Sequence, residues 1–173
     1  MRRSWLCGWH RVRRKDYSHR KVALEVRLLR LVQCFAVELY AFATMSNHFH
    51  LVVRYDSLAC SERSAHEVAQ RWVAAVASRP VLEDTQLRRA RVDTLCAAPE
   101  EIGRIRERLG SMSAFMQHLK QPIACQANSD VQFRGHFFDQ RFYSGALLCE
   151  EAVLAAMTDV ELNPVRAHMA QDV

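Results

Sequence analysis

Two histidines separated by one residue begin an apolar run at residues 46–53, which read SNHFHLVV. The β-branched and aromatic content of residues 48–55 predicts a strand, and side chains two apart on a strand share a face. His48 and His50 are therefore expected to project together, opposite Phe49. Two imidazoles on a rigid element suit Mn, Co, Ni or Zn, and an oxygen ligand from elsewhere would extend this to Mg. The alternative is a pair bonded to backbone or exposed on a sheet face without metal.

A basic segment precedes this motif. Residues 2–21 contain eight Lys or Arg and one acid, Asp16, and Trp5, Trp9 and Tyr17 are interleaved with them. Basic side chains neutralise phosphates and aromatic rings stack on bases, so the segment is typical of nucleic-acid binding. A solvated basic tail that only aids solubility is the alternative, since a basic patch is a footprint rather than a proof.

The elements that position these residues follow from hydrophobic periodicity and turn signals. Helices alternating with one hairpin favour an α+β domain. A polar, irregular surface insertion is expected between the second and third helices, and Asn163–Pro164 is expected to end the last helix. The predicted elements are a helix at 18–33, a hairpin of strands 35–44 and 48–55, a helix at 64–77, an irregular segment at 79–98, a long helix from 99 that Gly110 interrupts, and a last helix at 150–162.

Length and composition favour one domain of ordinary globular character: 173 residues, half of them apolar, with a net charge of +5. There is no uncharged apolar run of 18 residues and no signal-peptide pattern, which predicts a cytoplasmic protein with no membrane partner. The six cysteines are scattered singly without a CxxC pair, so free and mostly buried thiols are expected.

The string MSNHFHLVV at 45–53, together with VELNPVRA at 160–167, resembles the HUH single-tyrosine transposases, specifically the REP-associated tyrosine transposase branch of the insertion-sequence transposases. The strings MSAFMQHLKQPIACQAN at 112–128 and GHFFDQRFYSGALL at 135–148 resemble a long-insert subgroup of that branch. The resemblance covers about residues 5–169. It implies a ferredoxin-like fold, an antiparallel sheet with helices on one face, in a single domain over 1–173 with a helical insertion at about 61–128.

The resemblance also implies a chemistry: a divalent cation held by the HxH pair polarises a scissile phosphate, and a tyrosine on a C-terminal helix attacks it. His48 and His50 match the metal pair, Asn163 matches the oxygen-bearing ligand, and Mg or Mn is the expected ion. The tyrosine position, four residues before Asn163, is occupied by Asp159. Its shorter carboxylate would bind metal or orient a water instead. Tyr143 is a weaker candidate nucleophile whose ring is expected to pack on the last helix, and Tyr40 is expected in the core.

A second departure lies at the start, because the first strand of the family pattern is missing or the natural start lies upstream. Three hypotheses remain. The chain is a transposase-like protein that binds single-stranded or hairpin DNA with cleavage impaired, an active metal-dependent DNA endonuclease using Asp159-activated water or Tyr143, or a non-catalytic structural or interaction protein. A monomer and a homodimer are both open. The candidate DNA-contacting residues are Arg11, Arg13, Arg14, Lys15, Arg134, Arg141 and Arg166.

Overall fold

The computed structural model describes residues 5–139, 141–167 and 169 of the chain. Within them the fold is a mixed α/β arrangement with two small antiparallel sheets, β1–β2 and β3–β4. The elements are β1 (Trp9–His10), β2 (Lys15–Asp16), α1 (Ser18–Val32), β3 (Val37–Thr44), β4 (Phe49–Tyr55), α2 (Ala65–Val76), α3 (Arg79–Glu83), α4 (Thr85–Cys96), α5 (Pro99–Leu109), α6 (Met112–Asp130) and α7 (Glu150–Arg166).

The described residues divide into two compact units. One, the sheet unit, is drawn from Met1–Val26, Leu39–Arg54 and Lys120–Val173, and the other, the helical unit, from Arg27–Glu38 and Tyr55–Leu119. The segment 61–128, expected as a helical insertion, contains α2 to α5 and most of α6. A single domain over the whole chain stays a prediction.

One apolar cluster in the core of the sheet unit lies between the β3–β4 hairpin and α7. Alternate residues of the strands, Ala41 and Ala43 on β3 and Val52 on β4, are buried with Val160 of α7. Three further α7 residues pack on this cluster at helical spacing: Val153, Ala156 and Met157. The predicted hairpin is confirmed, and its turn is closed by the Met45 amide, which donates to the His48 carbonyl at 2.8 Å.

A buried arginine ties together three distant segments of the sheet unit. The Arg20 side chain is fully buried, its Nε donates to Asp130 Oδ2 at 2.9 Å and its Nη1 donates to the Trp5 carbonyl at 2.8 Å. Its guanidinium carbon lies 3.9 Å from the centre of the Tyr17 ring. A planar guanidinium suits this position because it donates in several directions while stacking on an aromatic face. Arg20 therefore links the N-terminal segment and α1 to the end of α6.

The helical unit corrects one expectation. Residues 79–98 were expected to be irregular, and this is wrong, because α3 and α4 occupy most of the segment. The start of α4 is set by Asp84, whose carboxylate accepts from the amides of Gln86 and Leu87. An N-cap of this kind satisfies amides that the helix itself leaves free, so a polar sequence without a strong apolar stripe still forms a helix.

Gly110 ends α5, as expected, and leads into α6. A Cβ at this position would lie 2.8 Å from the Ser57 carbonyl oxygen, so only glycine allows this close approach of two backbones.

The expected end of the last helix at residue 162 is also wrong, because α7 continues through Pro164 to Arg166. Asn163 therefore lies inside the helix, where its carbonyl accepts from the Ala167 amide at 3.0 Å.

Among the helices of the described residues, none is long and apolar enough to cross a bilayer. All six cysteines are free, and Cys7, Cys34 and Cys60 are buried as expected, whereas Cys125 and Cys149 are exposed.

Candidate functional site

The structure brings His48 and His50 together at the start of β4. Their ring centres are 4.8 Å apart and the ring planes are nearly perpendicular, at 88°. Two imidazoles that ligate one ion through nitrogens about 2.1 Å away have ring centres roughly 5 Å apart at ordinary coordination angles. Both side chains are exposed, so an ion and its remaining ligands have access. The pair, called the imidazole pair below, therefore has the spacing that a shared cation requires.

Asn47 fixes which nitrogen of His48 is free. His48 Nδ1 lies 2.6 Å from Asn47 Oδ1, and an amide oxygen only accepts, so Nδ1 carries the proton and Nε2 keeps its lone pair. Partial burial, followed by the charge of His50, lowers the pKa of His48 below its usual value of 6.5. The neutral ring with a lone pair on Nε2 is the form that binds a metal, and a hydrogen bond to the other nitrogen orients it.

Aromatic packing on the opposite face of β4 holds this strand in position. The Phe49 ring lies 6.3 Å from the Phe138 ring in an edge-to-face contact, and Phe138 in turn meets Phe137 at 5.0 Å. The Lys120 ammonium lies 4.5 Å from the centre of the Phe138 ring. With Phe49 held on one face, His50 is directed to the other, the face of Val52 and therefore of α7.

Asn163 and Asp159 differ in their placement on α7. Asn163 follows Val160 by three residues and is half-buried, so it continues the stripe that packs on β3 and β4. Asp159 is exposed, and its Oδ1 accepts from Arg166 Nη1 at 2.9 Å. The Asp159 carboxylate is thus engaged by a guanidinium, and the two predicted site residues Asp159 and Arg166 form an ion pair with each other.

The imidazole pair would need further ligands to hold an ion. Within the described residues, no group of three or more His, Cys, Asp and Glu side chains is placed to hold a metal. Asp159 therefore does not complete a three-residue group with the imidazole pair. An asparagine is not one of these four residue types, but its amide oxygen can also ligate a metal ion. The Asn163 amide would add one oxygen ligand to the two nitrogens of the imidazole pair. Such a mixed set suits Mn better than Mg.

The predicted basic residues form a second exposed feature, the basic hairpin, consisting of residues 9–16. Trp9 pairs with Asp16 and His10 with Lys15, and the turn between them is exposed. Trp9 itself is 57% exposed although it is aromatic. The structure brings the four predicted N-terminal cations together on this hairpin: Arg11, Arg13, Arg14 and Lys15.

Backbone hydrogen bonds attach the segment before the basic hairpin to the turn before the imidazole pair. The amides of Leu6 and Cys7 donate to the Ser46 carbonyl at 2.6 and 3.3 Å. The Cys7 thiol donates to the Met45 carbonyl at 3.3 Å, and Leu6 and Cys7 are both buried. Ser46 is two residues before His48, and Cys7 is two residues before Trp9, so the two exposed features start from one anchored junction.

The remaining predicted residues are dispersed. Arg134 and Arg141 are exposed outside the helices, and the structure places neither on the basic hairpin. Tyr143 was expected to pack on the last helix, which is wrong, because its side chain is 96% exposed. Tyr40 was expected in the core, which is also wrong, because it is 40% exposed on β3.

Two residues that sequence reasoning did not assign matter at this site. Asn47 has no role assigned from the sequence, and its only signal is that its amide directly precedes the histidine that it orients. Arg20 was one cation among eight, and its burial has no local signal.

A comparison of the chain with protein families, curated proteins and solved structures finds no match.

Proposed function

We propose that this chain binds single-stranded or hairpin DNA through the basic hairpin, beside a divalent-cation site at the imidazole pair, as a transposase-like protein whose DNA cleavage is impaired. The observation that carries the proposal is the pair of hydrogen bonds from the Leu6 and Cys7 amides to the Ser46 carbonyl. These bonds join the segment that leads into the basic hairpin to the turn that leads into the imidazole pair. Cationic side chains bind a nucleic-acid backbone by neutralising its phosphates, and a metal ion beside them would polarise one phosphate.

The roles of the residues follow from their chemistry. Arg11, Arg13 and Arg14 would neutralise backbone phosphates, and the exposed Trp9 ring offers a face on which an unpaired base stacks. Stacking requires bases that are not already paired, which favours single strands and the loops of hairpins. A Mg or Mn ion, when bound, would supply Lewis-acid polarisation of a phosphate. His48, His50 and the amide of Asn163 are the residues proposed to hold it.

The impairment follows from Asp159. An aspartate lacks the reach and the hydroxyl of a tyrosine, and the ion pair with Arg166 holds this carboxylate at the helix surface. We also propose that the β3–β4 hairpin and α7 belong to a ferredoxin-like sheet with helices packed on it. The packing of Val52 on Val160 supports this arrangement.

The test is a gel-shift series with labelled single-stranded, hairpin and duplex DNA over a range of salt concentrations. The wild type is expected to bind single strands and hairpins more tightly than duplex. Replacing Arg11, Arg13 and Arg14 with Gln should reduce the slope of log affinity against log salt by about 2, since each phosphate contact to a single strand contributes about 0.7.

The matched control replaces Arg88, Arg89 and Arg91 of α4 with Gln, which removes the same charge from another exposed surface. It is expected to leave the slope within about half a unit of the wild-type value, because these residues make no proposed phosphate contact. Equal losses in the two triple variants would show that net charge alone drives binding and would reject the basic hairpin as the interface.

A second function, active endonuclease, has one observation in its favour: the Tyr143 side chain is 96% exposed, so its hydroxyl is accessible to a phosphate. A cleavage assay with Mn and labelled single strands distinguishes the two. Impaired cleavage predicts no product from the wild type and product from Asp159→Tyr. A covalent protein–DNA adduct in the wild type that disappears in Tyr143→Phe would favour the endonuclease.

A further inference from the structure

The turn of the basic hairpin carries one apolar side chain among its cations. Residues 11–14, which read RVRR, connect the two short strands. Val12 is 89% exposed, although it is apolar and branched. A single exposed valine needs no explanation on an ordinary surface, but this one lies between the charges proposed to contact DNA.

Local contacts hold this turn in one shape. The Arg13 amide donates to Nδ1 of His10 at 3.1 Å. Arg14 has a φ of 48°, in the left-handed region that a residue with a long side chain seldom adopts. The His10 ring meets Trp5 edge-on at 5.6 Å and Tyr17 at 6.4 Å. A hydrogen bond and two ring contacts therefore give the turn a fixed base.

The spacing of the cations in the turn fits a base step that has been opened. Arg11 and Arg13 flank Val12, and two residues of chain span at most about 7 Å. Neighbouring bases of one strand are about 3.4 Å apart along the helix axis, so a step opened by one inserted side chain is roughly twice as long. With the two guanidiniums on the flanking phosphates, the Val12 side chain would face the gap between the bases.

The exposed ring of Trp9 lies close to this turn along the chain. Trp9 precedes Val12 by three residues, which span at most about 10 Å. An unpaired base stacked on Trp9 and a step opened by Val12 would therefore be within a few nucleotides of each other. The place in a nucleic acid that offers both is the end of a stem, where single strand meets duplex.

We propose that Val12 is an apolar wedge that enters the base stack at the end of the stem of a DNA hairpin, and that binding depends on how easily the last step of the stem opens. This inference rests on the proposed binding of DNA by the basic hairpin. Pyrimidine–purine steps such as TA unstack easily, so a stem that ends in a TA step is the favoured target.

The experiment uses the full chain and a DNA hairpin with 2-aminopurine in place of the adenine in the last step of the stem, because the fluorescence of this base rises when it is unstacked. The wild type is expected to raise the fluorescence about threefold there and to leave a 2-aminopurine in the middle of the stem unchanged. It should also bind a stem that ends in TA about fivefold more tightly than one that ends in GC.

The two levels of the proposal fail in different ways. Salt-dependent binding of DNA with neither the fluorescence rise nor the preference for TA would overturn the wedge and leave the proposed DNA binding in place. No binding to any of the DNAs would reject both.

Val12→Ser tests the side chain, and Val26→Ser is the matched control, because Val26 is 63% exposed on α1, outside the basic hairpin. Both positions are exposed, so both variants are expected to fold. Val12→Ser should abolish the fluorescence rise and the preference for TA, since serine keeps the charges of the turn but offers the bases no apolar surface. Val26→Ser should behave as the wild type does. Retention of both effects in Val12→Ser would contradict the inference.

Discussion

The two hairpins of the sheet unit are built in different ways. The basic hairpin has two-residue strands and an exposed turn, whereas β3 and β4 have eight and seven residues and bury one face against α7. A short two-stranded hairpin is marginal by itself in water, and one with a packed apolar face is not. A hairpin exposed for binding and a strand held rigid for coordination therefore require different kinds of support.

The basic hairpin depends on polar contacts at its base. Tyr17 donates its amide to the Gly8 carbonyl at 3.0 Å, and Gly8 has a φ of 78°, which glycine adopts at little cost. Arg20, stacked on Tyr17, and Asp130 complete this support. The turn itself stays exposed and carries the charges of Arg11, Arg13 and Arg14.

The longer hairpin depends on apolar packing on one face and aromatic packing on the other. Val52 lies on Val160, and Phe49 lies against Phe138. Packing on both faces therefore fixes the orientation of β4, and this sets the side of the strand to which His48 and His50 point.

Arg20→Met should destabilise the protein most, by about 3 kcal/mol, because it removes the donor to the Trp5 carbonyl and leaves Asp130 with only its contact to His19. The measurement is the free energy of unfolding in urea. Lys21→Met is the control, since its exposed ion pair with Glu25 at 3.8 Å is expected to contribute less than about 1 kcal/mol. Similar losses in the two variants would show that Arg20 is not the support described.

Val160→Ala should destabilise the longer hairpin by about 2 kcal/mol, the cost of two lost methyl groups and the cavity they leave. Leu154→Ala on the same helix is the control, because Leu154 is 62% exposed and should change stability by less than about 0.5 kcal/mol. Denaturant unfolding measures both. An equal effect at the two positions would place the packed face of α7 elsewhere.

Asn47→Ala should weaken binding of Mn to the imidazole pair by about tenfold, because His48 loses the acceptor that holds its tautomer. Calorimetry on wild type, Asn47→Ala and the double variant His48→Ala/His50→Ala measures this, with Ser46→Ala as the control in the same turn. Equal heats for the wild type and the double variant would remove the metal site from the proposal.

The pH dependence of Mn binding should be the smallest effect near neutrality. The pKa of His48 is lowered by partial burial and by the charge of His50, so a proton competes with the ion at this ring only at a lower pH than at an ordinary imidazole. Affinity should therefore decline as the pH falls below neutrality, where the rings take up protons. A decline that is already complete at pH 6.5, measured by titration calorimetry, would contradict the lowered pKa of His48.

Local patterns were sufficient for much of the fold. The residue types of 48–55 predicted β4, and the two apolar runs at 35–44 and 48–55 predicted the hairpin. The helix predicted at 64–77 is α2, and at its start the Ser64 hydroxyl accepts from the Glu67 amide at 3.2 Å. These predictions rest on neighbours within four residues, which the sequence displays directly.

The errors came from features without a local signal. The helix at 85–96 has a weak apolar stripe and depends on the Asp84 cap. Pro164 was expected to end the last helix, but a proline removes one hydrogen bond and is tolerated where packing holds the helix on the sheet. The exposure of Tyr143 and Tyr40 likewise follows from what surrounds each ring.

The amino-acid sequence alone establishes the charge of the N-terminal segment, the strand that begins beside His48 and carries His50, and an aspartate at position 159. The burial of Arg20 on Asp130, 110 residues away, and the ion pair of Asp159 with Arg166 depend on the tertiary fold. The period of a strand or helix is set by its own backbone, whereas the partner of a charge depends on which distant segments burial brings together.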